Sequence, residues 1–266
     1  MSRYAPNFLR RFAYLCLFIV SLANAGKLFA QISASEVATK LDALKEIVAK
    51  EVTTELQRTN FTASYTTVWR AYEDGAIEAL KKVLPKHIPE LTENGFDAGK
   101  TGSEKNRLAD LAIVVGTNQI EVSIKAARSS GQPENDLGTF HEHPSHKKLF
   151  AASFTLWVRY ADASGKITCD RVFFDETWRF VGKSSLVDGV KYRKKDGNMR
   201  PKPWVMFDSG AAFWKTEDEF EAAVKRAETF RANELIQEHL QDLDEEDQRL
   251  LYEKLKEKFG EHQPVK

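Results

Sequence analysis

Over residues 108–127 apolar side chains recur every second residue, the period of a β-strand with one buried face. Leu108-Ala109-Asp110-Leu111-Ala112-Ile113-Val114-Val115 reads as one strand, Gly116-Thr117-Asn118 as a turn, and residues 119–127 as its partner. A second pair is expected at residues 150–160 and 167–181, joined by Asp162-Ala163-Ser164-Gly165. Asp196-Gly197, inside Lys194-Lys195-Asp196-Gly197-Asn198, supplies the positive φ angles of a further hairpin tip. On both sides of this region the period is helical. Val37, Leu41, Leu44, Val48 and Val52 recur at three and four residues behind Ser35, a candidate N-cap. A second helix is expected over residues 64–84, stopping before Pro85. Residues 86–106, punctuated by Pro89, Gly95, Gly99 and Gly102, read as loop. Helix returns over residues 216–259, with Asp244 placed to cap its last segment and Gly260 to end it. Helices, then strands, then helices imply an α/β fold in which a central, antiparallel or mixed sheet is flanked by helices.

At 266 residues and 42% hydrophobic, the chain has enough material for a buried core. Its formal net charge of zero excludes a polycation, so any nucleic-acid footprint must be a local patch. Two cysteines, Cys16 and Cys169, do not make a disulfide framework. At the N-terminus Arg3, Arg10 and Arg11 precede an apolar run over residues 12–22 and the small-residue stretch Ala23-Asn24-Ala25-Gly26. These are the three parts of a secretory signal, and the run is shorter than the roughly 20 residues that span a bilayer. The expected organisation is a signal-like segment at 1–25 and a single α/β domain at 26–266, its last part helical. Cleavage would make the protein periplasmic or secreted; without cleavage a cytoplasmic location stays open.

The strand pair carries the chemistry. Ile120, Val122 and Ile124 share one face of the second strand, and Glu121, Ser123 and Lys125 share the other. In the first strand Leu111, Ile113 and Val115 are the apolar face and Asp110 lies opposite. A tight turn sets Asp110 beside the polar side of its partner. Two acids and a lysine then project together, a grouping suited to phosphodiester hydrolysis. Carboxylates hold a hard divalent ion and a lysine orients the attacking water or neutralises developing charge. The bland alternative is an amphipathic strand pair with a solvated outer face.

This pattern resembles the PD-(D/E)XK nucleases, which carry an aspartate on one strand and an acid-x-lysine on the next. Asp110 matches the first position and Lys125 the lysine; Ser123 stands where the acid is expected, and Ala109 where the proline is. The resemblance covers residues 78–140, about a quarter of the chain. It implies a restriction-endonuclease-like fold and a Mg²⁺- or Mn²⁺-dependent endonuclease acting on double-stranded DNA, restriction-type in its most natural subtype. Family members with serine at the acidic position take a carboxylate from elsewhere, which here is Glu121 first, then Glu134 or Asp136. Many add a glutamate from the preceding helix, Glu78 here, with Glu73 as the second choice. A homodimer is a further reading, since many such nucleases cut both strands as dimers.

Other groups admit two readings each. His141, His143 and His146 form either a transition-metal cluster or a polar loop. Lys191, Arg193, Lys194, Lys195, Arg200 and Lys202, interleaved with Tyr192 and Trp204, are candidate DNA contacts or a solvated hairpin with Trp204 in the core. Leu235, Ile236, Leu240, Leu243, Leu250, Leu251 and Leu255 either dimerise the chain or pack on its own core, the blander expectation. The rival to the nuclease reading is an exported, non-catalytic protein that binds nucleic acid or another anion on a nuclease-like sheet.

Overall fold

The helix that opens the structure is capped two residues before Ser35. Ser33 is the N-cap: its Oγ accepts from the Glu36 amide at 3.2 Å, and the Glu36 carboxylate takes the Ser33 amide at 2.7 Å. This reciprocal box needs an acid three residues on, which Ser33 has and Ser35 lacks. The computed structural model describes residues 32–59, 68–92, 95–98, 110–140, 148–163, 166–185, 189–241 and 243–259. The signal-like segment, Cys16, the three histidines, the Ser164-Gly165 tip and Gly260 lie outside the described residues. No helix among the described residues is long and apolar enough to cross a membrane.

Two long helices come first, α1 (Ala34–Arg58) and α2 (Val68–His87). Contrary to expectation, α2 runs through Pro85. The proline falls in the last turn, where little of the helix remains to be disrupted. The strands follow: β1 (Phe96–Ala98), β2 (Leu111–Val115), β3 (Asn118–Arg128), β4 (Ala152–Ala163) and β5 (Lys166–Glu176). They form one sheet in sequence order, antiparallel except for the parallel pair β3–β4. The mixed sheet flanked by helices is therefore the observed architecture. β2 and β3 are joined by Gly116-Thr117 alone, and Gly116 takes the positive φ (61°) that a two-residue hairpin demands. After β5 come two short helices, α3 (Thr177–Phe180) and α4 (Trp204–Asp208), then α5 (Glu217–Gln241) and α6 (Glu245–Phe259).

Strand parity sorts the core into two. On one face Leu111, Ile113, Ile120, Val122, Ile124, Phe154 and Leu156 are buried against α1 and α2. On the other, Trp157 and Phe173 meet an aromatic cluster with Phe180, Trp204 and Phe207 in mostly edge-to-face geometry. The leucine-rich C-terminus does not join either core. In α5 burial ends at Ala227; Ile236 and Leu250 are exposed, and Leu235, Leu240, Leu243 and Leu251 are only partly covered. Packing on the protein's own core is thus corrected. What holds the two C-terminal helices together is partly polar: Gln248 donates to the carbonyls of Leu240 and Leu243, and Asp244 caps α6 through the Asp247 amide.

α1 also closes the outer edge of the sheet. Thr53 Oγ1 accepts from the Val172 amide at 3.0 Å while donating to Ala49 O, and Gln57 Nε2 donates to Cys169 O at 3.2 Å. An edge strand would otherwise present these groups unpaired. Thr53→Val keeps the shape and removes the acceptor, so urea unfolding is expected to register a loss of roughly 1–3 kcal/mol, the cost of a buried amide left without a partner. An unchanged midpoint would show that the Val172 amide finds water instead.

Candidate active site

β3 is longer than β2, and the site follows from that difference. β2 begins at Leu111, opposite Val122, so the β3 edge beyond Val122 has no strand beside it in this register. Asp110, the residue just before β2, takes that place. Its Oδ2 accepts from the Ile124 amide at 2.7 Å, from Ser123 Oγ at 3.2 Å and from Lys125 Nζ at 3.3 Å. One turn-free step along the same edge, the Ala126 amide hydrogen-bonds the carboxylate of Glu73, which α2 supplies. The expected Asp110, Ser123 and Lys125 are thereby brought together, with a fourth member from a helix.

The two oxygens of Asp110 are used unequally. All three bonds fall on Oδ2, and Oδ1 has no hydrogen-bond or ion-pair partner among the described residues. The Asp110 side chain is 44% exposed and that of Lys125 21%, so the ion pair is open to solvent. Glu73 is more enclosed. Burial pushes its carboxyl up to about 7, Asp110 adding to the rise while Lys125 and the Ala126 amide oppose it. A carboxyl that holds its proton near neutrality, beside an ionised pair, is the kind of group that active sites contain.

The sequence ranks Glu73 behind Glu78, and the structure reverses the order. Five residues in a helix turn the chain through about 140° beyond a full revolution, so the two acids cannot face the same strand edge. Glu78 points to solvent and pairs with Lys81 at 3.0 Å. Only the phase of α2 against the sheet distinguishes the two, and that phase is set by buried Tyr72, Ala76, Ala79, Leu80 and Val83.

Glu121 lies on the same face of β3 as Ser123 and Lys125, buried, and its Oε2 accepts from Ser153 Oγ of β4, its register neighbour, at 2.8 Å. Glu134 does not reach the cluster: it is exposed, makes no hydrogen bond or ion pair with Asp110 or Lys125, and its carbonyl is held by Arg200. Asp136 is likewise taken, by Arg193 at 2.9 Å and Arg200 at 2.5 Å.

The basic segment is mostly spent on the protein itself. Arg193 is shared between Asp136 and Asp196, Arg200 is bound to Asp136, and Lys194 pairs with Glu234 and Glu238. Lys202 is buried between Phe180 and Phe207 and donates to Ala211 O, an enclosure that brings its amine down to about 8. Burial withdraws Lys202 from solvent, and Arg193, Lys194 and Arg200 are engaged by acids, while Lys191 and Lys195 are exposed without an ion pair among the described residues. Trp204 is core, its indole N–H donating to Arg128 O. Elsewhere Asp42, Asp175 and Glu176 bring ligand atoms within 4.8 Å of one another. Lys45 and Arg179 already occupy them, Lys45 on Asp42 and Asp175, Arg179 on Asp175 and Glu176.

No family model matches the chain, and no curated protein matches it. Among solved structures it is similar to NlaIV restriction endonuclease, with a TM-score of 0.43 and 16% identity over 73% of this chain and 78% of that one. At that distance the likeness carries no weight for the site, which stands on its own geometry.

The Glu73 shift has a stability consequence of definite sign. Its folded-state value, about 7, lies above the ordinary 4.5, so its contribution is fully present below about pH 4.5 and is lost as pH rises through 7. Glu73→Gln removes this dependence. The difference in unfolding free energy between variant and wild type should therefore move in the variant's favour between pH 5 and 8, by at most roughly 3 kcal/mol. Parallel curves across that range would mean that Glu73 ionises as an ordinary surface acid.

Proposed function

We propose that the chain is a metal-dependent endonuclease of the PD-(D/E)XK type that hydrolyses phosphodiester bonds in double-stranded DNA. The observation that supports it most is the split role of Asp110: one oxygen fixed by Lys125, Ser123 and the Ile124 amide, the other left for a ligand. The donor set suits a hard cation, being partly exposed carboxylate oxygens with neither thiol nor imidazole among the described residues of the cluster. Asp110, through Oδ1, and Glu73 would hold the Mg²⁺ or Mn²⁺, with Glu121 further along the same face. When bound, the ion supplies a polarised phosphate and a water of lowered pKa.

The protein's own groups do the rest. Lys125, paired with Asp110 at 3.3 Å, lies where it can orient the attacking water or offset charge growing on the phosphate oxygens. Ser123, in the acid position of the motif, bonds Asp110 and keeps its carboxylate aimed. Glu73 must shed its proton before it can act as a ligand, so turnover should rise with pH through about 7 at low metal, and saturating Mg²⁺ should move that midpoint down. The rival anion-binding reading relied on the basic segment, whose arginines and Lys194 are already paired with acids. A restriction-type substrate preference, like dimerisation through the exposed Ile236 of α5 and Leu250 of α6, belongs to the same proposal.

Plasmid cleavage with Mg²⁺ and with EDTA tests it. Asp110→Ala and Lys125→Ala should each reduce the Mg²⁺-dependent rate by about 100-fold or more, and Glu73→Gln by a similar factor. Cleavage that survives EDTA, or all three substitutions, would remove the site from the reaction.

A further inference from the structure

Four of the five tryptophans are buried: Trp157, Trp178, Trp204 and Trp214 are at most 7% exposed. Trp69, in the first turn of α2, is 37% exposed. Arg70 Cζ lies over its ring, 4.9 Å from the centroid. Arg70 is itself exposed and makes no ion pair among the described residues, although Glu73 and Asp74 follow it by three and four positions. In this it differs from Arg159, Arg171, Arg193 and Arg200, which are all tied to aspartates. An aromatic ring and an uncompensated cation are thus presented together at the surface.

Helix geometry sets this pair beside the Asp110 cluster. Trp69 and Arg70 stand four and three residues before Glu73, so viewed down α2 they flank it, roughly 40° to one side and roughly 60° to the other. Helical side chains lean toward the N-terminus, which carries the Glu73 carboxylate back over the turn that holds them. The phase is fixed from both sides of that line. Tyr72 is buried and stacked on Tyr160 of β4 at 5.2 Å, and Glu73 takes the Ala126 amide of β3. The pair is therefore the rim of the cluster on its α2 side. One helical turn, roughly 5 Å, separates it from Glu73, a distance of one or two nucleotide steps along a strand.

We infer that Trp69 and Arg70 hold the substrate strand beside the bond to be cut: Arg70 binds a phosphate neighbouring the scissile one, and a base that has left its stack lies against the pair. Bases stack on aromatic rings and on guanidinium planes, and every base has a π-face, so the contact is tolerant of sequence. A guanidinium held over a ring has its charge placed while N–H groups stay available for phosphate oxygens. The inference rests on the nuclease reading for the identity of the strand. What the pair adds, outside the carboxylates, is a second positive charge and a flat apolar surface.

Fluorescence anisotropy of a labelled single-stranded oligonucleotide on the full chain, in EDTA and again with Ca²⁺ over a series of KCl concentrations, tests this by binding alone. Trp69→Ala should weaken binding about tenfold with the salt dependence unchanged, and Trp69→Phe should keep most of the affinity. Arg70→Ala should lower the slope of log K against log salt by roughly 0.7, the share of one phosphate contact on a single strand. A strand of abasic sites should bind the unaltered protein about tenfold more weakly than the ordinary strand, and Trp69→Ala should not distinguish the two. The abasic comparison needs no variant to fold. No binding under either condition, equal binding of the abasic strand, or affinity and slope unmoved by both substitutions would overturn the inference. A protein that cuts plasmid yet gives one of these results keeps the nuclease reading and loses the rim contact. One that binds as stated but never cuts keeps the contact and loses the nuclease reading.

Discussion

The stretch of β3 that β2 leaves uncovered is the constraint on which the site depends. A strand edge with free amides needs acceptors, and here two carboxylates provide them, Asp110 for Ile124 and Glu73 for Ala126. Satisfying the backbone and assembling the chemistry are one act. Two acids that would repel each other in open solution are held at neighbouring positions because each has an N–H to bind, and Lys125 sits between the demands of both. Glu73 answers its burial, and to a lesser degree the nearby Asp110, by keeping a proton near neutral pH.

Electrostatics elsewhere follow from a net charge of zero. With as many acids as bases, most local excesses of positive charge can be compensated, and the segment from Lys191 to Lys202 is an example. Asp136, Asp196, Glu234 and Glu238 meet its arginines and Lys194, and burial removes Lys202 from solvent. These pairs stabilise an irregular segment that has only isolated bridges, such as Tyr192 with Met199, in place of a regular sheet. A salt-bridged hairpin presents a weak field to a polyanion. On the proposed reading, attraction of a phosphate chain would come instead from the exposed Lys191 and Lys195, because the site itself holds more carboxylates than lysines and would receive a phosphate only with its divalent ion.

Much of this was legible in the sequence wherever a period of two or a turn residue spoke for itself. The β2–β3 hairpin, its Gly116 turn and the shared polar face of Asp110, Ser123 and Lys125 follow from strand parity, which leaves no freedom once the apolar face is known. Gly197 at a hairpin tip was legible for the same reason. What sequence could not carry was phase between elements. Choosing Glu73 over Glu78 requires knowing how α2 is rotated against a strand edge some fifty residues later. The fate of the basic segment likewise depended on acids from α5 and from the loop after β3. The leucines of α5 and α6 have a helical period that suits a core face as well as a free one, and only the structure tells that they lie beyond the last buried turn at Ala227. Ser33 was a different kind of miss, since its capping box with Glu36 was present in the residues.

The order of dependence between packing and chemistry can be read from β3 itself. Ile120, Val122, Ile124 and Ala126 are fixed by the core beneath α1 and α2, and this alone places Glu121, Ser123 and Lys125 on the opposite face. A slip of one residue would bury the lysine and expose the isoleucines, so the register of the chemistry is enforced by the energy of a hydrophobic face that takes no part in it. β4 repeats the device: Phe154, Leu156 and Val158 lock Ser153 and Thr155 beside Glu121 and Ser123. A rigid two-strand platform can therefore tolerate polar and charged groups at successive positions, because their cost is met by apolar burial one residue away. The same logic explains why the polar row is densest on these two central strands, where both neighbours restrain the backbone, and why the acids that complete it come from the end of a short strand and from a helix at the uncovered edge.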